Sequence, residues 1–199
     1  MCRQVVSGLF RAPRRHYSTG PIMNIVLIGY RGTGKSAVGT LLSRYLDRPL
    51  IETDIEIAKA AGKSIREIFH DDGEAAFRER ERLAVEAAAA HDRVIISTGG
   101  GAIVDPANAT CLTADGFVVL LQAAPETLLG RILNDSNRPA LTRHDALTEI
   151  KVKLDERRTA YDSVAQMTID TDDLTPQQAA QTILVELQHR GIEISSPHS

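Results

Sequence analysis

The sequence predicts an α/β protein: a three-layer α/β/α fold in which a five-stranded parallel sheet is covered by helices on both faces. Three observations predict it. Short apolar, β-branched runs alternate along the chain with segments whose apolar residues recur every three or four positions. The first of those runs ends in a glycine-rich stretch that opens directly into a helix. The chain has 199 residues, the size of one domain with one core.

The elements follow in order. Ile25–Ile28 is a buried strand closed by Gly29. Ser36–Leu46 is a helix with Val38, Leu41, Leu42 and Tyr45 at helical spacing. Leu50–Thr53 is the second strand, and Asp54–Ala61 is a helix that Gly62 stops. Ser64, with Glu67 three residues later, is a capping box opening a short helix to Phe69. Glu74–His91, rich in Ala, Glu and Arg, is a longer helix. Val94–Ser97 is the third strand, running into Gly99-Gly100-Gly101, and Phe117–Leu121 is the fourth. Pro125 suits the first turn of a helix reaching Leu133. Asn134–Asp145 is polar and reads as a loop. Leu147–Tyr161 is a helix, Met167–Asp170 the fifth strand, and Pro176–His189 the last helix, with Gly191 as its stop. In such sheets ligands bind beyond the carboxyl ends of the strands, where every glycine-rich or charged feature below falls.

Composition narrows the function. With 43% hydrophobic and 25% charged residues the chain is of globular type, and no stretch approaches the roughly 18 apolar residues of a membrane helix. A net charge of −3 argues against a nucleic-acid binder. Two cysteines and scattered histidines exclude a disulfide framework or a zinc site and point to a reducing compartment, the cytoplasm. Residues 1–22 carry Arg3, Arg11, Arg14 and Arg15 and no acid. They read as an extension without a role, a start placed upstream of Met23, or a transit peptide, which would make the location organellar. The single domain is expected over 23–192, with 193–199 as a tail. No long apolar stripe is left over, so a monomer is expected.

Gly29-Tyr30-Arg31-Gly32-Thr33-Gly34-Lys35-Ser36 matches G-x-x-x-x-G-K-[ST] in full. Glycines let the backbone curl so that successive N–H groups point at phosphate oxygens, and the following helix aims its positive end at the same anion. Lys35 brings a charge to the β- and γ-phosphates, and the Ser36 hydroxyl is a Mg²⁺ ligand. A similar Gly62-Lys63-Ser64 has neither the first glycine nor a preceding strand, and reads as a helix stop and cap. A GTPase would offer an N-K-x-D guanine reader, and none is present. What is left is a small kinase binding ATP and one small acceptor.

Four further features suit the acceptor. Glu52-Thr53-Asp54 puts two carboxylates on one side of the chain by strand alternation. Either suits Mg²⁺ or a hydroxyl proton, while Asp54 also suits an ordinary helix cap. Arg78 and Glu81 share a helix face; a pair at that spacing is usually solvated, but it also locks a guanidinium to grip an acid. Gly99-Gly100-Gly101 fits either a close backbone approach to a ligand or a flexible turn. Arg138, in Asn137-Arg138-Pro139, can close over a γ-phosphate from a loop. Arg131 either faces the nucleotide or caps its helix end, and Arg157, next to Arg158, reads by itself as a surface arginine.

Together these motifs resemble the shikimate kinase family, from about Asn24 to His189. They run in the family's order: the phosphate loop, E-T-D at 52–54, F-R-x-x-E at 77–81, T-G-G-G at 98–101, and N-R-P followed by E-R-x-x-x-Y at 156–161. The resemblance implies a nucleoside-monophosphate-kinase-like fold, an acceptor region over roughly 54–85 and a mobile lid over roughly 134–146. It implies transfer from ATP, with Mg²⁺, to shikimate, in the pathway to chorismate and aromatic amino acids. Asp54 would hold and deprotonate the acceptor hydroxyl. Arg78 and Arg157 would grip the carboxylate, Glu81 would orient Arg78, and Gly99, Gly100 and Gly101 would meet the ring. Gly32, Thr33, Gly34, Lys35, Ser36 and Ala37 would hold the phosphates, Arg131 would stack near adenine, and Arg138 and Lys35 would stabilise the transferred group. Ser36 and Glu52 would serve the metal, although the family has D-T-D where this chain has Glu52. Arg31 is variable in the family and receives no role. A gluconate or nucleotide kinase would share the loop and sheet but not the pair Arg78 and Arg157; an idle nucleotide-binding regulator would lack Lys35 or Asp54.

Overall fold

The computed structural model describes residues 23–133 and 143–192. Five parallel strands form one sheet in the order β2-β3-β1-β4-β5: β1 Asn24–Ile28, β2 Leu50–Glu52, β3 Ile95–Ser97, β4 Gly116–Gln122 and β5 Met167–Asp170. The helices are α1 Lys35–Leu46, α2 Thr53–Ala61, α3 Ile65–Glu67, α4 Gly73–Ala89, α5 Pro106–Ala114, α6 Pro125–Leu133, α7 Arg143–Val164 and α8 Pro176–His189.

Strand alternation sorts the core into two layers. On one face Ile25, Leu27, Phe117 and Val119 pack against Val38 and Leu42 of α1 and Ile183 and Leu187 of α8. On the other, Val26, Ile28, Val118 and Leu120 pack against Val85 of α4, Leu112 of α5 and Tyr161 of α7. The register aligns Ile25 with both Ile95 and Phe117, so neighbouring strands present the same face together. Each fully buried Ile, Leu or Val contributes about 1.5–3 kcal/mol relative to exposure. A satellite core of Ile57, Ile68 and Phe77 fixes α2 and α4 to each other above β2 and β3.

Several boundaries depart from the sequence reading. β2 ends at Glu52 because Thr53 already begins α2. The capping box at Ser64 forms, but its helix lasts three residues before a π-helical turn, Ile68–Asp72, leads into α4. Residues 102–115, unassigned from sequence, hold a 3₁₀ turn, Ala102–Val104, and α5, whose N-cap Asp105 accepts from the Ala107 N–H at 2.8 Å. α7 begins at Arg143, four residues earlier than read, so the polar stretch expected to be loop to Asp145, and the lid expected to about 146, run into helix. The rest of that lid, with Arg138, lies outside the described residues, as do the extension 1–22 and the tail 193–199. Among the described residues no helix is long and apolar enough to cross a membrane.

Candidate active site

The chain leaves β1 into the glycine-rich loop. Gly29, at φ 136°, passes so close to β4 that a Cβ there would lie 2.1 Å from the Leu121 carbonyl oxygen. Gly34 caps α1 at φ 93°, in the left-handed region that favours glycine. Thr33 Oγ1 donates to the Tyr30 carbonyl at 2.8 Å, closing the curl. The Lys35 ammonium folds back to donate to the carbonyls of Gly29 (2.8 Å) and Tyr30 (2.9 Å). It is buried, and burial pulls its pKa down to about 8; Asp54 and Glu52 pull upward, and Arg157 pushes further down. Ser36 and Ala37 stand exposed in the first turn of α1.

The Ser36 hydroxyl donates to Glu52 Oε2, so the two expected metal residues meet across the α1–β2 gap. Among the described residues no group of three or more His, Cys, Asp or Glu could hold a metal ion. A Ser–carboxylate oxygen pair beside the phosphate loop nevertheless fits Mg²⁺, which takes one or two protein oxygens and completes its shell with water and phosphate.

Strand alternation does not relate Glu52 and Asp54, because the helix already begins at Thr53 between them. Glu52 ends β2 and Asp54 lies in the first turn of α2. The capping reading of Asp54 also fails, because the N-cap position is Glu52 and no side chain bonds there. Asp54 opens onto the cleft while the surrounding walls push its carboxyl pKa up; Lys35 opposes this and Glu52 adds to it. Between the two acids, buried Thr53 accepts the Gly99 N–H on Oγ1 at 3.0 Å. Sequence reasoning gave Thr53 no role; its only signal was a β-branched hydroxyl at a strand end.

The glycine triplet after β3 is the floor on which the acceptor groups converge. A Cβ on Gly99 would lie 2.5 Å from Asp54 Oδ1 and 3.2 Å from Glu81 Oε1. One on Gly101 would lie 2.9 Å from Arg78 Nη1, and one on Gly100 3.3 Å from Arg157 Nη1. Close approach, not flexibility, explains the triplet. Arg78 donates to Glu81 Oε2 at 2.7 Å and to Glu74 Oε1 at 3.0 Å. The surface reading of this pair is wrong, since the Glu81 side chain is only 2% exposed. Burial raises the Glu81 pKa and Arg78 lowers it; the rise prevails. Arg157 donates to the Gly100 carbonyl at 2.9 Å, and the Tyr161 hydroxyl donates to the same oxygen at 2.5 Å. Tyr161 was visible in sequence only as a motif letter.

A cavity of about 260 Å³ lies over this floor, lined by Asp54, Arg78, Glu81, Arg157 and the three glycines. Across the phosphate loop a second cavity, about 180 Å³, is lined by Gly32, Gly34, Val38, Arg131 and Pro176. Arg131 there donates to the Gly32 carbonyl (3.3 Å) and to Thr171 Oγ1 (3.0 Å), tying α6 to the phosphate loop and to the segment after β5. The largest cavity, about 800 Å³ between β4, β5 and α7, holds none of Asp54, Arg78 or Arg157. Asp54, Arg78, Glu81, Arg157 and the glycine triplet thus share one cavity, Gly32, Thr33, Gly34 and Arg131 share the other, and Arg138 lies outside the described residues.

A phosphate loop between two cavities, one charged and one beside the last helix, on a parallel sheet ordered 2-3-1-4-5, defines a small P-loop kinase. Comparison with known proteins narrows the class. A shikimate kinase family model matches residues 31–188. The shikimate kinase of Pelotomaculum thermopropionicum is 43% identical over 171 residues, 85% of this chain and 99% of its own. That of Desulforudis audaxviator is 42% identical over 168 residues, 84% of this chain and 88% of its own. The solved structure of shikimate kinase from Acinetobacter baumannii in complex with shikimate superposes with a TM-score of 0.80 at 33% identity, covering 86% of this chain and 96% of that one. The chain belongs to the shikimate kinase family.

Proposed function

We propose that this chain transfers the γ-phosphoryl group of ATP to a hydroxyl of shikimate, giving ADP and 3-phosphoshikimate on the way to chorismate and aromatic amino acids. The observation that carries the reading is the convergence of Asp54, Arg78 and Arg157 on one glycine floor, one loop away from Lys35. An anionic acceptor needs guanidinium groups, and its hydroxyl needs a carboxylate.

Arg78, held by Glu81 and Glu74, and Arg157, held by the Gly100 carbonyl, grip the acceptor carboxylate. Asp54 accepts the hydroxyl proton as that oxygen forms its bond to the γ-phosphorus, and the bond from phosphorus to the β,γ-bridging oxygen breaks to release ADP. The raised pKa of Asp54 makes it a better proton acceptor than an aspartate of ordinary pKa. The loop N–H groups and Lys35 hold the phosphates, and Arg131 stacks near adenine beside the 180 Å³ cavity. Mg²⁺, when bound beside Ser36 and Glu52, neutralises phosphate charge. Arg138 is assigned the transferred group on the family motif alone. The same reading makes the protein a monomer in the cytoplasm that engages neither nucleic acid nor membrane.

The test is ADP release by the purified protein with ATP and Mg²⁺, with and without shikimate. Turnover that requires shikimate and is absent with gluconate or nucleoside monophosphates supports the assignment. ATP binding without shikimate-dependent release overturns the acceptor and leaves the phosphate loop standing.

A further inference from the structure

Arg31 occupies a phosphate-loop position that the motif leaves open, yet its side chain does not point away into water. It is 33% exposed and lines the same 260 Å³ cavity as Asp54, Arg78 and Arg157. Its Nε is buried without a hydrogen-bond partner. Glu149 Oε1 on α7, which lines the same cavity, stands 3.9 Å from Nη2, beyond hydrogen-bond length. The other two guanidiniums of this cavity are anchored by hydrogen bonds, Arg78 to two glutamates and Arg157 to a carbonyl. Arg31 is anchored by its stack on Tyr30, 5.8 Å from the ring centroid. The same buried ring carries Arg157 at 5.4 Å. Tyr30 is itself fixed, since its carbonyl accepts from both Lys35 and Thr33. One aromatic side chain of the phosphate loop thus contacts two cations that both line the acceptor cavity, and among the described residues the Nε of Arg31 has no partner. A buried guanidinium N–H without an acceptor is costly unless a partner completes it.

We propose that Arg31 is a specificity-determining residue of the acceptor site: a third guanidinium that, with Arg78 and Arg157, holds the carboxylate of an anionic acceptor. This rests on the shikimate reading above. The cavity is small enough that a six-membered ring acid touches several of its walls at once. Glu149 competes for Arg31 while the site is empty, and the acceptor carboxylate replaces it at shorter range.

Steady-state kinetics test this with Arg31→Met, Arg31→Lys and Glu149→Gln beside the wild type. Loss of a charge-assisted contact raises the shikimate KM of Arg31→Met about tenfold. Its kcat and ATP KM stay within about twofold, and Arg31→Lys recovers most of the loss because the charge returns. Glu149→Gln, on an exposed helical position that leaves the fold intact, lowers the shikimate KM about twofold by removing the competitor. An unchanged shikimate KM in Arg31→Met overturns the proposal, as does a parallel rise in ATP KM, which would mark damage to the loop. A higher shikimate KM in Glu149→Gln overturns it independently, whether or not Arg31→Met folds. Wild-type protein that hydrolyses no ATP with shikimate defeats the acceptor reading itself, whereas shikimate-dependent wild type with an indifferent Arg31→Met defeats only the role of Arg31.

Discussion

Adding one methyl group at each glycine of the 99–101 triplet separates the site's functions. None of the three has a left-handed φ, so alanine is compatible with the backbone and the effect is steric. In Gly99→Ala the new Cβ meets Asp54 Oδ1 at 2.5 Å, and ordinary contact begins near 3.4 Å, so the carboxylate must move about 0.9 Å. Aspartate has a short side chain and cannot retreat along a flexible stem. A displacement of that size between a base and its proton costs about 10²-fold in rate. In Gly101→Ala the new atom meets Arg78 Nη1 at 2.9 Å, and a guanidinium on a long stem yields more easily. That change raises the shikimate KM several-fold and moves kcat little. In Gly100→Ala the contacts are 3.3 Å to Arg157 Nη1 and 3.4 Å to the Gly29 carbonyl, so a few tenths of an ångström suffice and the effect is the smallest. The assay is ADP release against shikimate at saturating ATP, with thermal unfolding to show that each variant is folded. Folded Gly99→Ala with kcat within threefold of wild type would refute the placement of Asp54 as the reacting base. A Gly101→Ala that loses kcat and keeps its KM would refute the division of labour.

Other perturbations read other parts of the site. Asp54→Asn removes the proton acceptor and lowers kcat about 10²-fold or more, measured in the same assay. Arg78→Ala raises the shikimate KM and leaves ATP affinity intact, since Arg78 lines the acceptor cavity and not the one beside Arg131. Thr53→Val leaves the Gly99 N–H without its acceptor in a fully buried position, costing about 1–3 kcal/mol by chemical denaturation. Lys35 makes ATP binding pH-dependent. Its pKa in the free protein is about 8, and bound phosphates hold it charged, so binding above that pH must take up a proton. Affinity falls about tenfold between about pH 7 and about pH 9, and calorimetry in buffers of different ionisation enthalpy detects the proton. The sign is opposite for the folding stability of the free protein. The unfolded lysine holds its proton up to 10.5, so between about 8 and 10.5 this residue makes stability rise with pH.

What the sequence disclosed depended on whether local chemistry or distant packing decides a residue. The phosphate loop was legible because curling a backbone round an anion demands particular residues at fixed spacing. Helices α6 and α8 start where read because Pro125 and Pro176 mark their first turns, and α8 ends where read, shortly before Gly191. Helix α5 was missed although Asp105-Pro106 is a cap followed by a first-turn proline, since its apolar residues do not recur with a helical period. Nothing in Arg78-Glu79-Arg80-Glu81 says which face is buried. Glu81 is interior because α4 packs over a glycine floor twenty residues further along, a tertiary fact. Thr53 read as the end of a strand because it is β-branched, while its hydroxyl serves the Gly99 N–H in the loop after β3.

Strand order explains why phosphoryl donor and acceptor meet. β1 lies between β3 and β4, and β3 lies between β1 and β2. The chain segments leaving β1, β2 and β3 therefore emerge side by side: Lys35 opens α1, Asp54 lies in the first turn of α2, and the glycine triplet follows β3. The loops leaving β4 and β5 emerge on the other side of β1 and supply Arg131, through α6, and Thr171. The cavity beside Arg131 and the cavity beside Asp54 thus take opposite sides of one strand end, with the β1 loop as the seam. Lys35 sits on that seam, drawn by Asp54 and Glu52 on the acceptor side while its ammonium is tied to the loop's own carbonyls. Buried and short of full compensation, it is the group that a nucleotide's negative charge relieves most. Placing that debt of electrostatic stabilisation between the two cavities makes the arrival of the donor phosphates alter the field at Asp54, the group proposed to take the acceptor's proton.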